Sequence, residues 1–122
     1  MDGANKTNDA TATCLFCKIA AGQVPATIVY RDDHAVAFRD LNPQAPTHVL
    51  VIPREHVPNA TEAATAGVWE AVMAVAARVA RQEGVHDRGY RLVVNCGPDA
   101  GQTVDHLHVH VLGGRAMAWP PG

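Results

Sequence analysis

The chain has 122 residues, of which 48% are hydrophobic and 18% charged, a balance typical of a single globular domain. Its formal net charge of -2 offers no general attraction to nucleic acid or to an anionic membrane surface, so neither is expected as a partner. No apolar run approaches the roughly 18 residues that a membrane-spanning helix requires.

The N-terminal segment, residues 1–13, is rich in small polar residues and lacks the basic and apolar regions of a signal peptide. We expect this segment to be a disordered tail, followed by one domain over residues 14–122. Three cysteines without an export signal argue against a disulfide framework and favour a cytoplasmic location.

The elements predicted along the domain combine strands with two helices. Residues 14–21 form a short helix that stops at Gly22. Asn59 and Glu62 have the spacing of a capping box, so a long helix is predicted to begin there, and it ends at Gly84. Alternating or apolar runs between turn residues predict five strands, which are residues 27–31, 34–39, 48–53, 89–95 and 106–112. Together they predict an α+β fold with a five-stranded antiparallel sheet, one long helix and one short helix.

Three histidines stand at alternate positions in the last predicted strand, at His106, His108 and His110. Side chains alternate between the two faces of a strand, so the three imidazoles share one face at a spacing of about 6.7 Å. Imidazoles this close resist being protonated together, and a neutral imidazole held on one nitrogen offers the other as a nucleophile. The pattern therefore predicts that an imidazole of this run acts as a nucleophile.

Two other interpretations of the histidine run stay open at this point. A polar strand face can carry histidines by chance. Two histidines at positions i and i+2 of a strand can also chelate a catalytic zinc ion, although the sequence shows no neighbouring carboxylate-rich pocket.

The run His106-Leu107-His108-Val109-His110 resembles the motif of the histidine triad (HIT) family. Other blocks resemble that family in the same order, namely residues 40–48, 51–53, 89–91, 93–95 and 101–104. The endings Gly113-Gly114-Arg115 and Trp119-Pro120-Pro121-Gly122 resemble the Hint branch, the histidine triad nucleotide-binding proteins that are purine nucleoside phosphoramidases. The resemblance runs from Cys14 to the C-terminus.

The resemblance implies hydrolysis of a purine nucleoside phosphoramidate, such as an AMP-amine or an aminoacyl adenylate-type compound, to the nucleoside monophosphate. It casts His108 as the nucleophile that forms a covalent nucleotidyl intermediate. It casts His110 as the contact to the phosphate oxygens, and His48 and His106 as residues that orient the array. An adjacent imidazole can supply the proton that the departing amine needs. The chemistry requires no cofactor.

The resemblance also implies a nucleotide site, in which the carboxylate of Asp40 accepts hydrogen bonds from the ribose. The implied nucleotide-binding residues are Phe16, Ile19, Asp40, Leu41, Leu50, Asn95, Gly101, Gln102, Thr103, His108, His110 and Trp119. The sequence alone allows ordinary roles as well, because the apolar members fit a core and Asp40 and Asn95 are typical of turns. The glycines of loop 97–103 allow backbone amides to point at an anion, yet such a loop also simply joins two strands.

Cys14 and Cys17 have the spacing of two thiolate ligands of a structural zinc ion. Two small buried residues on a short helix explain the same pattern. Some bacterial HIT proteins complete such a site with a histidine after the third strand and with the first triad histidine, which correspond to His56 and His106 here. The resemblance thus implies a structural zinc site, whereas the Hint-type ending argues against one, because many members of that branch lack the cysteines.

An uncovered sheet edge invites a second copy of the chain. The resemblance implies a homodimer in which the two sheets join and the C-terminal segments, with Trp119, reach toward the partner's active site. Two other functions stay open, which are hydrolysis of dinucleoside polyphosphates and a non-catalytic nucleotide-binding or scaffold role. The Trp-Pro-Pro-Gly ending argues against the dinucleoside polyphosphate branch.

Overall fold

The computed structural model describes residues 11–122, and its backbone forms one five-stranded antiparallel sheet. The strands are β1 (Ile28–Arg31), β2 (Ala35–Arg39), β3 (Thr47–Pro53), β4 (Tyr90–Val93) and β5 (Val109–Gly113). Their order across the sheet is β1-β2-β3-β5-β4, with every neighbouring pair antiparallel. The central strand β3 is buried along its whole length, as its apolar sequence predicts. The predicted fold class is confirmed.

Two helices flank the sheet, α1 (Leu15–Ala20) and α2 (Ala66–Gln82). Cys14 is the N-cap of α1, and its thiol accepts a hydrogen bond from the backbone N–H of Cys17 at 3.3 Å. Each helix is followed by a glycine with positive φ, Gly22 at 75° and Gly84 at 74°. This left-handed conformation suits glycine and ends both helices where the sequence predicts.

The predicted start of the long helix at Asn59 is wrong. Asn59 Oδ1 does accept from the backbone N–H of Glu62 at 3.0 Å, as a helix cap would, but the bond closes one isolated turn. Ala63 then enters a small buried cluster with Val57 and Leu107, and its carbonyl oxygen accepts from the indole of Trp69 at 3.1 Å. These contacts interrupt the helix that the local sequence predicts, and α2 starts at Ala66.

The two helices cover opposite faces of the sheet. One face packs on α2, with the small side chains Val49, Val51, Val109 and Val111 buried against Val72, Val75, Ala76 and Val79. The other face packs on α1, with Val36, Phe38, Leu50 and Ile52 buried against Phe16, Ile19 and Ala20. Burial of one such valine or leucine stabilises the fold by about 1.5–3 kcal/mol. Because β3 and β5 alternate, His48 and His110 fall on the α1 face.

The fifth strand begins at Val109, not at His106 as predicted. Continued pairing of β5 with β3 beyond Val109 would meet Pro53, which has no backbone N–H to donate. The backbone oxygen of Pro53 instead lies 2.8 Å from Nε2 of the His106 ring, and the backbone N–H of Leu107 donates to Val57 at 2.6 Å. Residues 106–108 thus lead into the strand without belonging to its ladder.

The predicted disordered tail, residues 1–13, lies mostly outside the described residues and stays a prediction, although residues 11–13 are helical. Over the described part of the chain, neither helix has the length and apolar character needed to cross a bilayer.

Candidate functional site

Four histidines and one aromatic ring gather on the sheet face that α1 covers. His106, His108 and His48 are buried, whereas His110 is half-buried. The ring centroid of His110 lies 5.1 Å from that of His108 and 5.2 Å from that of His48. Phe16 of α1 meets the His108 ring edge-on at 5.1 Å. The structure therefore brings the four histidines assigned to catalysis into one array.

The hydrogen bonds of His108 define its tautomer. Its Nδ1 lies 2.7 Å from the backbone oxygen of His106, and a carbonyl oxygen can only accept. Nδ1 therefore carries the proton, and a neutral His108 ring has its lone pair on Nε2. A lone pair on a ring held through its other nitrogen is the arrangement that a nucleophilic imidazole needs.

The tautomer of His48 follows from the loop before β3. The backbone N–H of Gln44 donates to His48 Nδ1 at 3.0 Å, so the proton of a neutral His48 is on Nε2. Nε2 then donates to His110 Nδ1 at 2.9 Å. His110 in turn carries its own proton on Nε2. The two rings form a directed pair that presents an N–H donor beside His108.

Burial favours the neutral forms of His110 and His48, because it lowers the pKa of both rings. It lowers the pKa of His110 to about 4, and the neighbouring His108 and His48 add to the effect against the opposing carboxylate of Asp40. Burial likewise lowers the pKa of His48, again opposed by Asp40. Neutral rings are the state in which the hydrogen-bond directions described above hold.

A cavity of about 210 Å³ opens against the histidine array. Of the predicted nucleotide-binding residues, eight line it, namely Phe16, Ile19, Asp40, Leu41, Leu50, Thr103, His108 and His110. The other four do not line it in the single chain, namely Asn95, Gly101, Gln102 and Trp119. A larger groove of about 630 Å³ lies at the start of α2, and none of the three triad histidines lines it.

The loop over residues 97–103 uses its own donors internally. The backbone N–H groups of Gly101 and Gln102 donate to Pro98 and Gly97 at 3.1 Å each. The Gln102 side chain accepts from the Gly97 N–H at 2.9 Å and donates to the backbone oxygens of Pro58 and Val104 at 2.8 and 3.0 Å. Gln102 therefore holds the loop in place, a role that its sequence position alone does not signal, and Thr103 reaches the cavity.

A second cluster lies next to the array, behind His106. The donor atoms of Cys14, Cys17, His56 and His106 all lie within 4.8 Å of one another. His106 Nδ1 is 3.3 Å from the Cys14 sulfur and 3.5 Å from the Cys17 sulfur, and His56 Nδ1 is 3.2 Å from the Cys17 sulfur. Such separations suit a tetrahedral zinc ion, whose ligands at 2.0–2.3 Å lie roughly 3.5 Å apart.

The chemistry of the cluster also fits zinc. His106 Nε2 donates to the backbone oxygen of Pro53, which leaves the Nδ1 lone pair facing the two thiols. Burial lowers the pKa of His106 to about 4, so the ring is neutral and able to act as a ligand. Burial, aided by the adjacent Cys14, raises the pKa of the Cys17 thiol to about 12, which disfavours the thiolate in the absence of metal, so zinc would bind with release of the thiol proton.

Asp40, His48 and His110 also bring potential ligand atoms together, which bears on the alternative of a metal within the triad. The carboxylate of Asp40 lies 3.4 Å from His48 Nε2. A metal there would need the lone pair of His48 Nε2, yet Gln44 already donates to Nδ1, so Nε2 carries the proton. The geometry of this group is that of a hydrogen-bonded array and not of a metal site.

The model of the HIT domain family matches residues 21–117 of the chain. The chain belongs to the HIT domain family. The match covers the sheet, α2 and the three triad histidines, and it begins after the two cysteines of the metal cluster.

Relatives of this HIT domain match most of the chain. A protein of Zea mays named "14 kDa zinc-binding protein" is 49% identical, over 88% of this chain and 87% of its own. A HIT family hydrolase from Legionella pneumophila Philadelphia 1 has 46% identity and a TM-score of 0.88, over 90% of this chain and 100% of its own. A zinc-bound histidine triad family protein from Mycobacterium smegmatis has 30% identity and a TM-score of 0.77, over 92% and 81%.

Several residues at the HIT-domain cavity were not predicted from the sequence. They are Leu15, Pro25, Ala26, Phe38 and Arg39. The sequence does carry a signal for Phe38, because it stands two residues before Asp40 and residues at this spacing share one side of an extended chain. In the structure its ring meets that of Phe16 edge-on, with the centroids 5.4 Å apart. Pro25 and Ala26 lie in the connection after α1, where no periodic pattern in the sequence predicts which way a side chain points.

Proposed function

We propose that this HIT domain is a hydrolase of purine nucleoside phosphoramidates that works through a covalent nucleotidyl intermediate on His108. The observation that carries the proposal is the 2.7 Å contact from His108 Nδ1 to the backbone oxygen of His106. Because Nδ1 carries the proton, the lone pair on Nε2 is available for attack. The His108 ring lines the 210 Å³ cavity. The names of HIT relatives support hydrolysis in general, and the ending of the chain favours the phosphoramidase branch.

The first chemical step is an attack of His108 Nε2 on the phosphorus. The new nitrogen–phosphorus bond forms as the bond from phosphorus to the substrate amine breaks. The amine leaves with a proton from an adjacent imidazole, which carries that extra proton in the substrate complex, where the phosphate charge opposes the effect of burial. His110 Nε2–H contacts a phosphate oxygen, while its Nδ1 accepts from His48. Water then attacks the phosphorus as the bond to His108 breaks, which releases the nucleoside monophosphate and restores the ring. The proton that the water loses returns to the imidazole that protonated the amine.

The apolar and polar walls of the cavity match the two halves of a nucleoside. Phe16, Ile19 and Leu50 are buried side chains that offer a slot for either purine ring. Asp40 lines the same cavity close to the histidines and offers its carboxylate to the ribose hydroxyls. Leu41 is 98% exposed, so in this arrangement it covers the base only from the rim.

We further propose that Cys14, Cys17, His56 and His106 hold a structural zinc ion. With four protein ligands, such an ion has no open position for a substrate, so it stabilises the fold and the segment before His108. The catalytic steps use none of its chemistry. We also propose a cytoplasmic location, because three cysteines, two of them assigned to zinc, do not make a disulfide framework.

The proposed assembly is a homodimer joined at the edge strand β4. Tyr90 and Leu92 of this strand are each 37% exposed, and Trp119 near the C-terminus is 82% exposed. An apolar edge with unpaired backbone groups favours pairing with a second copy. A sedimentation mass of one chain at micromolar concentration would contradict the dimer.

The function is tested with two substrates and one variant. Wild-type protein is expected to hydrolyse an adenosine phosphoramidate faster than a dinucleoside polyphosphate. His108→Ala should abolish turnover and retain AMP binding. Preference for the dinucleoside polyphosphate would instead place the chain in the sister branch, and AMP binding without turnover of either substrate would favour the non-catalytic role.

A further inference from the structure

We propose that Arg115 is a positioning residue of the candidate active site, which acts on His110 through the backbone of Gln44 and the ring of His48. The catalytic consequence of this inference rests on the proposed function, because it concerns the same reaction. Arg115 itself lies at the exposed surface after β5 and does not line the cavity.

The guanidinium of Arg115 links the C-terminal segment to the loop that precedes β3. Its Nε donates to the backbone oxygen of Gln44 at 2.9 Å, and its Nη1 donates to the backbone oxygen of Ala116 at 3.1 Å. Hydrogen bonds from a charged donor are stronger than those between neutral groups. The bond to Ala116 restrains the guanidinium, so that the bond from Nε can hold the backbone of Gln44 in place.

The backbone at Gly114 brings Arg115 into reach of this loop. Gly114 has φ +90°, and a Cβ added there would lie 2.9 Å from the Cβ of Pro46. The chain leaving β5 therefore passes directly against the loop, at a distance and in a conformation that only glycine allows without strain. The turn fixes where the Arg115 side chain starts.

Gln44 transmits the link to the histidines. It is exposed, and its backbone N–H is the donor that places the His48 proton on Nε2. With that donor displaced, His48 can also adopt the tautomer with its proton on Nδ1. The His48 Nε2 lone pair would then face the Nδ1 lone pair of His110 across 2.9 Å. His110 would have to move or change tautomer, and the N–H that it presents to the phosphate would be lost.

The test compares Arg115→Ala with Arg88→Ala in the full-length protein. Arg88 is a matched control, because it is an exposed arginine that lines the same surface cavity as Arg115. The tautomers of His48 are read from the ¹⁵N chemical shifts of its ring, and kcat and KM are measured with an adenosine phosphoramidate. Wild type and Arg88→Ala are expected to show the single Nε2–H tautomer. Arg115→Ala is expected to show both tautomers and a kcat reduced about tenfold, with KM changed less than about twofold.

A single Nε2–H tautomer in a folded Arg115→Ala, with kcat within about twofold of wild type, would overturn the proposal. If that variant does not fold, Arg115→Lys decides in the same way, since lysine keeps the charge but lacks the planar pair of donors. Absence of turnover in the wild type would refute the proposed function alone, because the tautomer measurement tests the link from Arg115 to His48 without any substrate.

Discussion

His108 donates its Nδ1 proton to the backbone oxygen of His106, while the side chain of His106 faces the thiols of Cys14 and Cys17. One residue thus sets the tautomer of the proposed nucleophile and contributes a ligand to the proposed zinc site. The two functions meet in the segment before β5, which lacks ladder pairing with β3. A bound ion would therefore hold the part of the backbone on which the nucleophile depends.

Replacement of one thiol should remove the metal. We expect wild-type, tag-free protein to contain about one zinc per chain by elemental analysis, and Cys17→Ser to contain less than about a tenth. The variant should also melt at a lower temperature, because a structural zinc contributes directly to folding. Cys96→Ser is the matched control, since Cys96 lies outside the cluster beside Thr61, at 3.4 Å. Less than about a tenth of a zinc per chain in the wild type would contradict the site.

Acid should destabilise the fold through the histidine array. Histidine in an unfolded chain takes up a proton near pH 6.5, whereas burial holds the pKa of His110 at about 4. As the pH falls from about 6.5 toward 4, the unfolded state binds protons that the native state does not, so the free energy of unfolding decreases. Above about pH 6.5 both states are neutral at this position, and the contribution no longer changes.

Urea unfolding at pH 7.5 and at pH 4.5 measures this effect. His110→Asn should lose less stability between the two pH values than wild type, because the group that resists protonation is gone. Gln23→Asn is the control, since Gln23 is exposed and its replacement removes no titratable group, so the wild-type pH dependence should be unchanged. Equal pH dependence in His110→Asn and wild type would show that His110 is not the source.

Removal of the Asp40 charge should weaken binding of a ribonucleotide specifically. Asp40 Oδ1 accepts from the backbone N–H of Asn42 at 2.8 Å, and Asp40→Asn keeps an acceptor for that bond. We expect the Kd of AMP to rise about tenfold, and that of 2',3'-dideoxy-AMP to change less than about twofold, because the latter has no ribose hydroxyls to bind. Calorimetry measures binding separately from any effect on the nearby His48. Asp99→Asn, in the exposed loop, is the control, and equal losses for both ligands would argue against a ribose contact.

The sequence was most informative where a pattern is local and repeated. The apolar run in residues 48–53 and the glycines after both helices predict real elements, because each reflects the geometry of its own segment. The predictions at Asn59 and His106 are wrong where a tertiary contact competes with a local one. In the first case Ala63 packs with Leu107, and in the second the His106 ring binds the backbone oxygen of Pro53.

The same distinction between local patterns and tertiary contacts applies to the candidate site. The period of the histidine run indicates a shared face, but the direction of each proton depends on contacts such as Gln44 to His48 that no spacing reveals. The metal ligands come from segments up to 92 positions apart, from Cys14 to His106, so spacing alone could suggest only the cysteine pair. The resemblance to the HIT family predicted His56 and His106 as the other two ligands, and the structure gives the distances from their rings to the cysteine sulfurs.

Gln102 should control the order of the loop over residues 97–103. Its side chain makes three hydrogen bonds, to the N–H of Gly97 and to the backbone oxygens of Pro58 and Val104. Gly97 and Gly101 have φ of +86° and +88°, so the loop has few conformational restraints of its own. Gln102→Ala should speed hydrogen exchange at Gly97 by at least about tenfold, because the amide loses its acceptor.

The same variant should raise KM for an adenosine phosphoramidate by about threefold or more with a smaller change in kcat, because the loop carries Thr103 into the cavity but none of the histidines. Gln102→Glu separates the contacts, since it keeps the acceptor for Gly97 and loses both donors. Gln23→Ala, an exposed position after α1, serves as the control. If the Gly97 amide of Gln102→Ala exchanges at the wild-type rate, the loop keeps its shape without this side chain. The backbone alone would then position Thr103.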